Sequence, residues 1–284
     1  MRIAAAPISW GVCEVPGWGH QLAPERVLAE MAALGLTATE LGPDGFLPPE
    51  PDRRAALLGG YGLRAIGGFV PVVLHDPAHD PLAALRDTVA AFEADAVVVL
   101  AAATGVDGYD GRPALDDDGW RTLLSNLDRI DREISHLVTL HPHVGTMVET
   151  GEEVERVLDG AAVSLCLDTG HLLAGGADPL DVVRKAPERI AHAHLKDVDA
   201  GLAGRVRAGE LTYTDAVRAG MYRPLGRGDV DVAGIVSGLT AAGYTGWYVM
   251  EQDVILTSAD ADPVEDVRAS LAYLTGLASP EDAA

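Results

Sequence analysis

The sequence predicts an α/β fold, a single (β/α)8 TIM barrel over residues 1–284. Three observations lead there. Short apolar runs alternate with segments of helical periodicity eight times along the chain. Strands that are apolar on both faces are buried on both faces, the state of a parallel sheet covered by crossover helices. No Gly-x-Gly-x-x-Gly follows the first strand, and no Gly-x-x-x-x-Gly-Lys-Ser/Thr occurs anywhere, so an open doubly wound sheet lacks its signature. The polar residues that need explaining collect at the C-terminal ends of strands, where a barrel keeps its active site.

The elements follow in order. A first strand covers Ile3–Ser9. A helix from Pro24 stops at Gly35, a natural residue just past a helix end. Ala38–Leu41 is strand two and carries Glu40; a helix covers Pro51–Leu58, and Leu63–Val73 is strand three. Proline in the first helical turn opens the next helix at Asp80-Pro81. Ala96–Ala101 is strand four, followed by a long loop and a helix over Asp117–Ile134. Strand five ends at His141. Thr150-Gly-Glu-Glu153 has the form of a capping box, with Thr150 as N-cap and Glu153 reaching back. Val163–Leu167 is strand six, Pro179–Ala186 a helix, and Ile190–Leu195 strand seven. A polar stretch with one short helix, Leu202–Met221, exceeds what the scaffold needs. Val232–Ala242 is a helix, Trp247–Met250 strand eight, Pro263–Leu277 the last helix, and 279–284 a frayed tail.

The apolar share of 48% supports a sizeable core, and no run approaches the ~20 apolar residues that span a bilayer. The formal net charge of −22 argues against nucleic acid or an anionic membrane as partner, since phosphate binding needs a cationic surface. Cys13 and Cys166 are too few for a disulfide framework, and a reduced, cytoplasmic protein is expected.

Chemistry concentrates between His141 and His194, which holds five of the nine histidines. Asp168 follows an apolar strand, at the barrel rim, where it reads as a metal ligand or as a helix cap. His192 and His194 share one strand face by two-residue alternation, and His194, nearer the C-terminal end, is the better ligand. Glu251 ends strand eight, where a charge is costly unless paired or metal-bound. The fourth ligand is Glu149, His141 or His143; Glu149 is preferred, with the histidines lining a substrate pocket. Lys196 stands ready to hold a substrate oxygen or polarise a carbonyl. A mostly oxygen set suits Mn2+, Mg2+, Co2+ or Fe2+ more than structural Zn2+. As a Lewis acid such an ion would stabilise the enediolate left when a proton leaves the carbon beside a carbonyl.

Short motifs spread over the whole chain carry a resemblance. They are Ala6-Pro-Ile-Ser-Trp10, Thr39-Glu40-Leu-Gly42, His141-Pro-His-Val-Gly-Thr146 with Glu149-Thr150, Asp168-Thr-Gly-His-Leu172, His194-Leu-Lys-Asp197, Gly226-Arg-Gly-Asp-Val-Asp231 and Gly243-Tyr-Thr-Gly-Trp247 leading to Glu251. In this order the chain resembles the xylose-isomerase-like TIM-barrel superfamily of sugar isomerases, epimerases and dehydratases, and within it the inosose dehydratase group. The resemblance implies a divalent metal, Mn2+ first with Co2+ next (Mg2+, Fe2+ and Zn2+ are further options), on Glu149, Asp168, His194 and Glu251. It implies dehydration of a keto-cyclitol such as 2-keto-myo-inositol. His143 or His171 would be the base and Lys196 a further catalytic group. Trp10, Glu40, His141 and Arg227 would line the substrate pocket. The chain departs from the group's pattern at Pro142, where a third histidine is expected, at Glu149, where glutamine is expected, and at Arg227, where an acid is expected. The expected partner is a small keto-cyclitol or keto-sugar, with a homo-oligomer left open. Epimerisation or aldose–ketose isomerisation at the same site is the nearest alternative, and a non-catalytic sugar-binding barrel the next.

Overall fold

The computed structural model describes residues 1–106 and 108–278. In chain order it contains β1 (Arg2–Ala5), α1 (Pro24–Ala33), β2 (Ala38–Thr39), α2 (Pro51–Gly60), β3 (Arg64–Ala65), β4 (Gly67–Val73), α3 (Pro81–Val89), β5 (Val97–Ala103), α4 (Asp117–Glu133), β6 (Val138–Leu140), α5 (Gly151–Gly160), β7 (Ser164–Asp168), α6 (Thr169–Ala174) and α7 (Pro179–Lys185). It continues with β8 (Ile190–Leu195), β9 (Asp197–Val198), α8 (Ala200–Arg207), α9 (Tyr213–Arg218), β10 (Tyr222–Arg223), α10 (Val232–Ala241), β11 (Trp247–Met250) and α11 (Val264–Leu277).

The main sheet runs β3-β2-β1-β11-β8-β7-β6-β5-β4, with every pair parallel. Its two ends are halves of one strand. Ile66, the residue between them, donates to the Thr39 carbonyl on one side (3.0 Å) and accepts from Val97 N–H on the other (2.8 Å). The ring is thereby closed at eight strand positions, and this sheet keeps no edge to pair with another chain. This is the expected (β/α)8 barrel, with strand three bent at Ile66.

Local chemistry explains the helix starts. Proline occupies the first turn of α1, α2, α3 and α7, where its missing N–H costs nothing. The Asp80, Asp116 and Asp178 side chains accept first-turn N–H groups. The capping box at Thr150 and Glu153 forms with both of its bonds. Gly35 follows α1 with φ 81°, the left-handed conformation a helix terminator needs.

The large apolar core lies between strands and helices. Two smaller clusters, Ala4, Ala6, Ala38, Ile66 and Val249, and Val97, Val99 and Cys166, are separate from it. Their residues alternate along the strands with those of the outer core, so they fill the lower bore of the barrel.

Several elements differ from expectation. β1 stops at Ala5 and the chain enters a 3-10 turn, Pro7–Trp10, because Pro7 has no N–H for the ladder. A short helix, α6, follows Asp168 directly. The polar stretch after β8 folds into two helices and an antiparallel β9–β10 pair. The tail at 279–284 lies outside the described residues. Among the described residues, no helix is long and apolar enough to cross a membrane.

Candidate functional site

Two-residue alternation carries the inward face of each strand up to its C-terminal mouth. On β7, Cys166 faces the bore and Asp168 stands above it. On β8, His192 lies below His194; Glu251 stands two residues beyond Val249, and His141 just past β6. These four strands are neighbours in the sheet, in the order β11-β8-β7-β6, so their end residues converge. His141, Asp168, His194 and Glu251 each offer an atom within 4.8 Å of the others'. His141 Nε2 is 3.1 Å from Asp168 Oδ2, and His194 Nδ1 is 2.8 Å from Glu251 Oε2 and 3.6 Å from Asp168 Oδ2. Asp168 does both jobs considered for it: Oδ1 caps α6 through His171 N–H at 2.8 Å, and Oδ2 faces the group.

His141 Nδ1, His194 Nδ1 and Glu251 Oε2 are buried without a hydrogen-bond partner. Buried polar atoms are rarely left bare. Two imidazoles and two carboxylates within 4.8 Å of one another, three of the four residues with a bare atom, make a donor set that fits a divalent cation. Glu149 is not in this group, which corrects its expected place. Its Oε2 accepts from Gly145 N–H at 2.8 Å and pairs with Arg112 Nε at 3.2 Å. Eight residues of turn separate it from the strand end, whereas His141 stands just past β6 beside Asp168.

Lys196 is 2% exposed, with Nζ 2.8 Å from Asp253 Oδ1, 3.2 Å from Glu251 Oε2 and 3.5 Å from Asp168 Oδ2. Burial disfavours its charge, but Asp168, Asp253 and Glu251 outweigh that and hold it well above the usual lysine range. Burial likewise pushes Glu251 up, and His194 and Lys196 bring it down to about 2. Nζ also lies 2.9 Å from His171 Nε2. The other ring nitrogen, Nδ1, lies 3.3 Å from Tyr222 Oη and 3.5 Å from Val144 N. Tyr222 Oη meets Tyr213 Oη at 3.0 Å, and Tyr213 donates to Asp253 Oδ2 at 2.6 Å. Asp253 returns to Lys196, closing a ring of five buried groups.

Both His171 nitrogens are therefore engaged. His143 is different. Its Nδ1 lies 2.7 Å from the Val144 carbonyl, which can only accept, so Nε2 carries the lone pair. Burial, then His141 and Lys196, lower its pKa to about 3, and it is neutral at pH 7. Its ring packs on His171 at 3.7 Å and against Tyr109 at 4.5 Å between centroids. Gly145 permits this: with φ 77°, any Cβ there would lie 2.5 Å from Tyr109 backbone.

Above the four-residue group is a cavity of about 340 Å³, lined by Glu40, His141, His143, His194, Lys196, Glu251 and Asp253, within the range of small-molecule sites. Its other wall comes from the loops after β1 and β2 and from β4, with Trp18, Asp44 and Phe69. Trp10 and Arg227, expected here, are elsewhere. Trp10 is fully buried, with its indole donating to Glu30 on α1 at 2.8 Å, and Arg227 is exposed on the loop after β10. Asp197 is a loop anchor, accepting from the N–H groups of Gly226, Gly228 and Val230. Tyr109, Tyr213 and Tyr222, which come from loops and the added segment, carry no signal in the chain's local pattern. Asp253 stands out there only as a polar neighbour of Glu251.

Comparison with known proteins agrees with this architecture. The xylose isomerase-like TIM barrel family matches residues 28–277. The inosose dehydratase of Geobacillus kaustophilus (strain HTA426) is 32% identical over 275 residues, covering 89% of this chain and 87% of the relative. The rhizopine catabolism protein MocC of Rhizobium meliloti is 33% identical over 276 residues, covering 89% and 82% respectively. Among solved structures, the IOLI protein with a bound zinc atom has a TM-score of 0.69 at 13% identity, with 98% of each chain covered. The chain belongs to the xylose isomerase-like TIM barrel family.

Proposed function

We propose that this protein is a divalent-metal-dependent dehydratase that removes water from a keto-cyclitol such as 2-keto-myo-inositol. The observation that carries the reading is the convergence of His141, Asp168, His194 and Glu251 within 4.8 Å, with His141, His194 and Glu251 each holding a bare buried atom and lining a cavity of about 340 Å³. Similarity to inosose dehydratases over most of the chain supports the substrate class. The four residues would hold one ion; with two nitrogens and two oxygens they suit Mn2+, our first choice, as well as Co2+, Fe2+ or Zn2+. When bound, the ion would supply Lewis-acid stabilisation of negative charge on the substrate's ketone oxygen.

The protein's own groups divide the proton transfers. His143, neutral with its Nε2 lone pair free, takes the proton from the carbon beside the ketone. Lys196 donates a proton to the hydroxyl leaving the next carbon, so that water departs and a carbon–carbon double bond forms. The resulting enol tautomerises to the diketone. The aromatic wall of Phe69, Tyr109 and Trp18 excludes water and orients the ring, and Glu40 with Asp44 suits neutral polyols rather than anions. We place this reaction in the cytoplasm, in keeping with two free cysteines.

Incubation of purified protein with scyllo-inosose and Mn2+ is expected to give rising diketone absorbance. No diketone at any metal loading refutes the dehydratase reading. Deuterium uptake into substrate from heavy water without loss of water selects epimerisation or isomerisation instead.

A further inference from the structure

Glu40 enters the bore from β2, outside the four strands that supply the convergent group. Its Oε1 is 2.8 Å from His192 Nε2 and 2.8 Å from His194 Nε2. All three residues are buried, with His192 at 0% exposure, His194 at 1% and Glu40 at 3%. An ionised carboxylate only accepts, so both Nε2 atoms carry the proton. With a cation bound, this would leave the His194 lone pair on Nδ1, the atom turned to Glu251 and Asp168. The opposite tautomer would aim an N–H at those carboxylates and offer no electron pair there.

We propose that Glu40 is a positioning residue: through the Nε2 proton it fixes the tautomer and ring orientation of His194, so that Nδ1 is the atom presented to a divalent cation. His192 is a second donor to the same oxygen. The proposal rests on the metal reading above. Outer carboxylates of this kind tune the affinity of the histidine they hold.

The test is equilibrium Mn2+ binding to the metal-stripped full chain, by competition with a fluorescent chelator. Glu40→Gln keeps the shape and an accepting oxygen, and is expected to weaken Kd at least about tenfold with one ion per chain retained. His192→Phe leaves Glu40 and His194 paired and is expected to stay within about threefold of wild type. In nitrogen-15 spectra of the wild type loaded with diamagnetic Zn2+, His194 is expected as the Nε2–H tautomer, and finding the Nδ1–H tautomer there overturns the proposal. If Glu40→Gln does not fold, Glu40→Asp, which withdraws the carboxylate by one methylene, takes its place in the same comparison. Wild-type affinity in the Glu40 variant overturns the proposal, as does an equal loss in His192→Phe. Two ions per wild-type chain and one in the variant would instead make Glu40, His192 and His194 a cation site of their own, which also overturns it. No uptake by the wild type removes the metal reading itself.

Discussion

Replacing Lys196 with methionine separates two roles that a single assay would merge. The ammonium is buried among three carboxylates, 2.8 Å from Asp253, 3.2 Å from Glu251 and 3.5 Å from Asp168. At an effective dielectric of 20 each contact is worth about 5 kcal/mol of gross attraction, most of it offset by desolvation. Removing one partner of a buried ion group leaves the others uncompensated and costs about 3–5 kcal/mol. At roughly 2–4 °C per kcal/mol for a large domain, the metal-free variant is expected to melt about 6–20 °C below wild type. The same carboxylates, Asp168 and Glu251, belong to the convergent group. A divalent ion can neutralise them once the lysine is gone, so Mn2+ is expected to stabilise Lys196→Met more than it stabilises wild type. Thermal unfolding with and without Mn2+ reads both effects, and turnover is expected to be lost at every metal concentration. Equal stability of the two metal-free proteins, or a smaller Mn2+ effect in the variant, refutes the electrostatic argument.

Three further outcomes are expected. Glu149→Gln leaves Mn2+ content and affinity unchanged, because Glu149 is bound to Gly145 and Arg112; a tenfold loss of affinity would restore it as a ligand. Tyr213→Phe removes the donor to Asp253 and the neighbour of Tyr222, costing about 2–3 kcal/mol in denaturant unfolding, and an unchanged midpoint would show the ring to be slack. Burial raises the Glu153 carboxyl, but Thr150 N–H, Arg112 and Glu149 N–H outweigh this and bring it below its ordinary 4.5. A depressed folded value means stability that is full above the unfolded value and disappears as pH falls through the folded one. Glu153→Gln is thus expected to be about 1 kcal/mol less stable at pH 7, with the gap to wild type narrowing as pH falls below 4.5; a pH-independent gap would exclude the ionic contribution.

Alternating apolar strands and capped helices make the barrel legible in the amino-acid order alone. Asp168, His194 and Glu251 are equally plain, since each is a charged or imidazole group at the end of an otherwise apolar strand. His141 is harder. A strand buried on both faces does not reveal which of its sides points into the bore, so alternation alone does not choose between a strand-end histidine and Glu149 in the turn beyond. Trp10 misleads because its motif looks like a pocket wall, whereas Pro7 turns the chain and sends the indole to Glu30. Tyr213 and Tyr222 reach the site through the packing of α9 and β10, contacts that no local pattern encodes.

Four neighbouring strands, β6, β7, β8 and β11, hold the convergent group, while much of the opposite cavity wall comes from β4 and the loops after β1 and β2. The barrel thus divides its labour between a reactive half and a selecting half. Side chains of the selecting half that face the cavity can be exchanged without replacing any of the four convergent residues. A new ring substituent on the substrate can be met by changes near Trp18, Asp44 or Phe69 alone. On this scaffold, substrate range and reaction type are free to evolve at different rates.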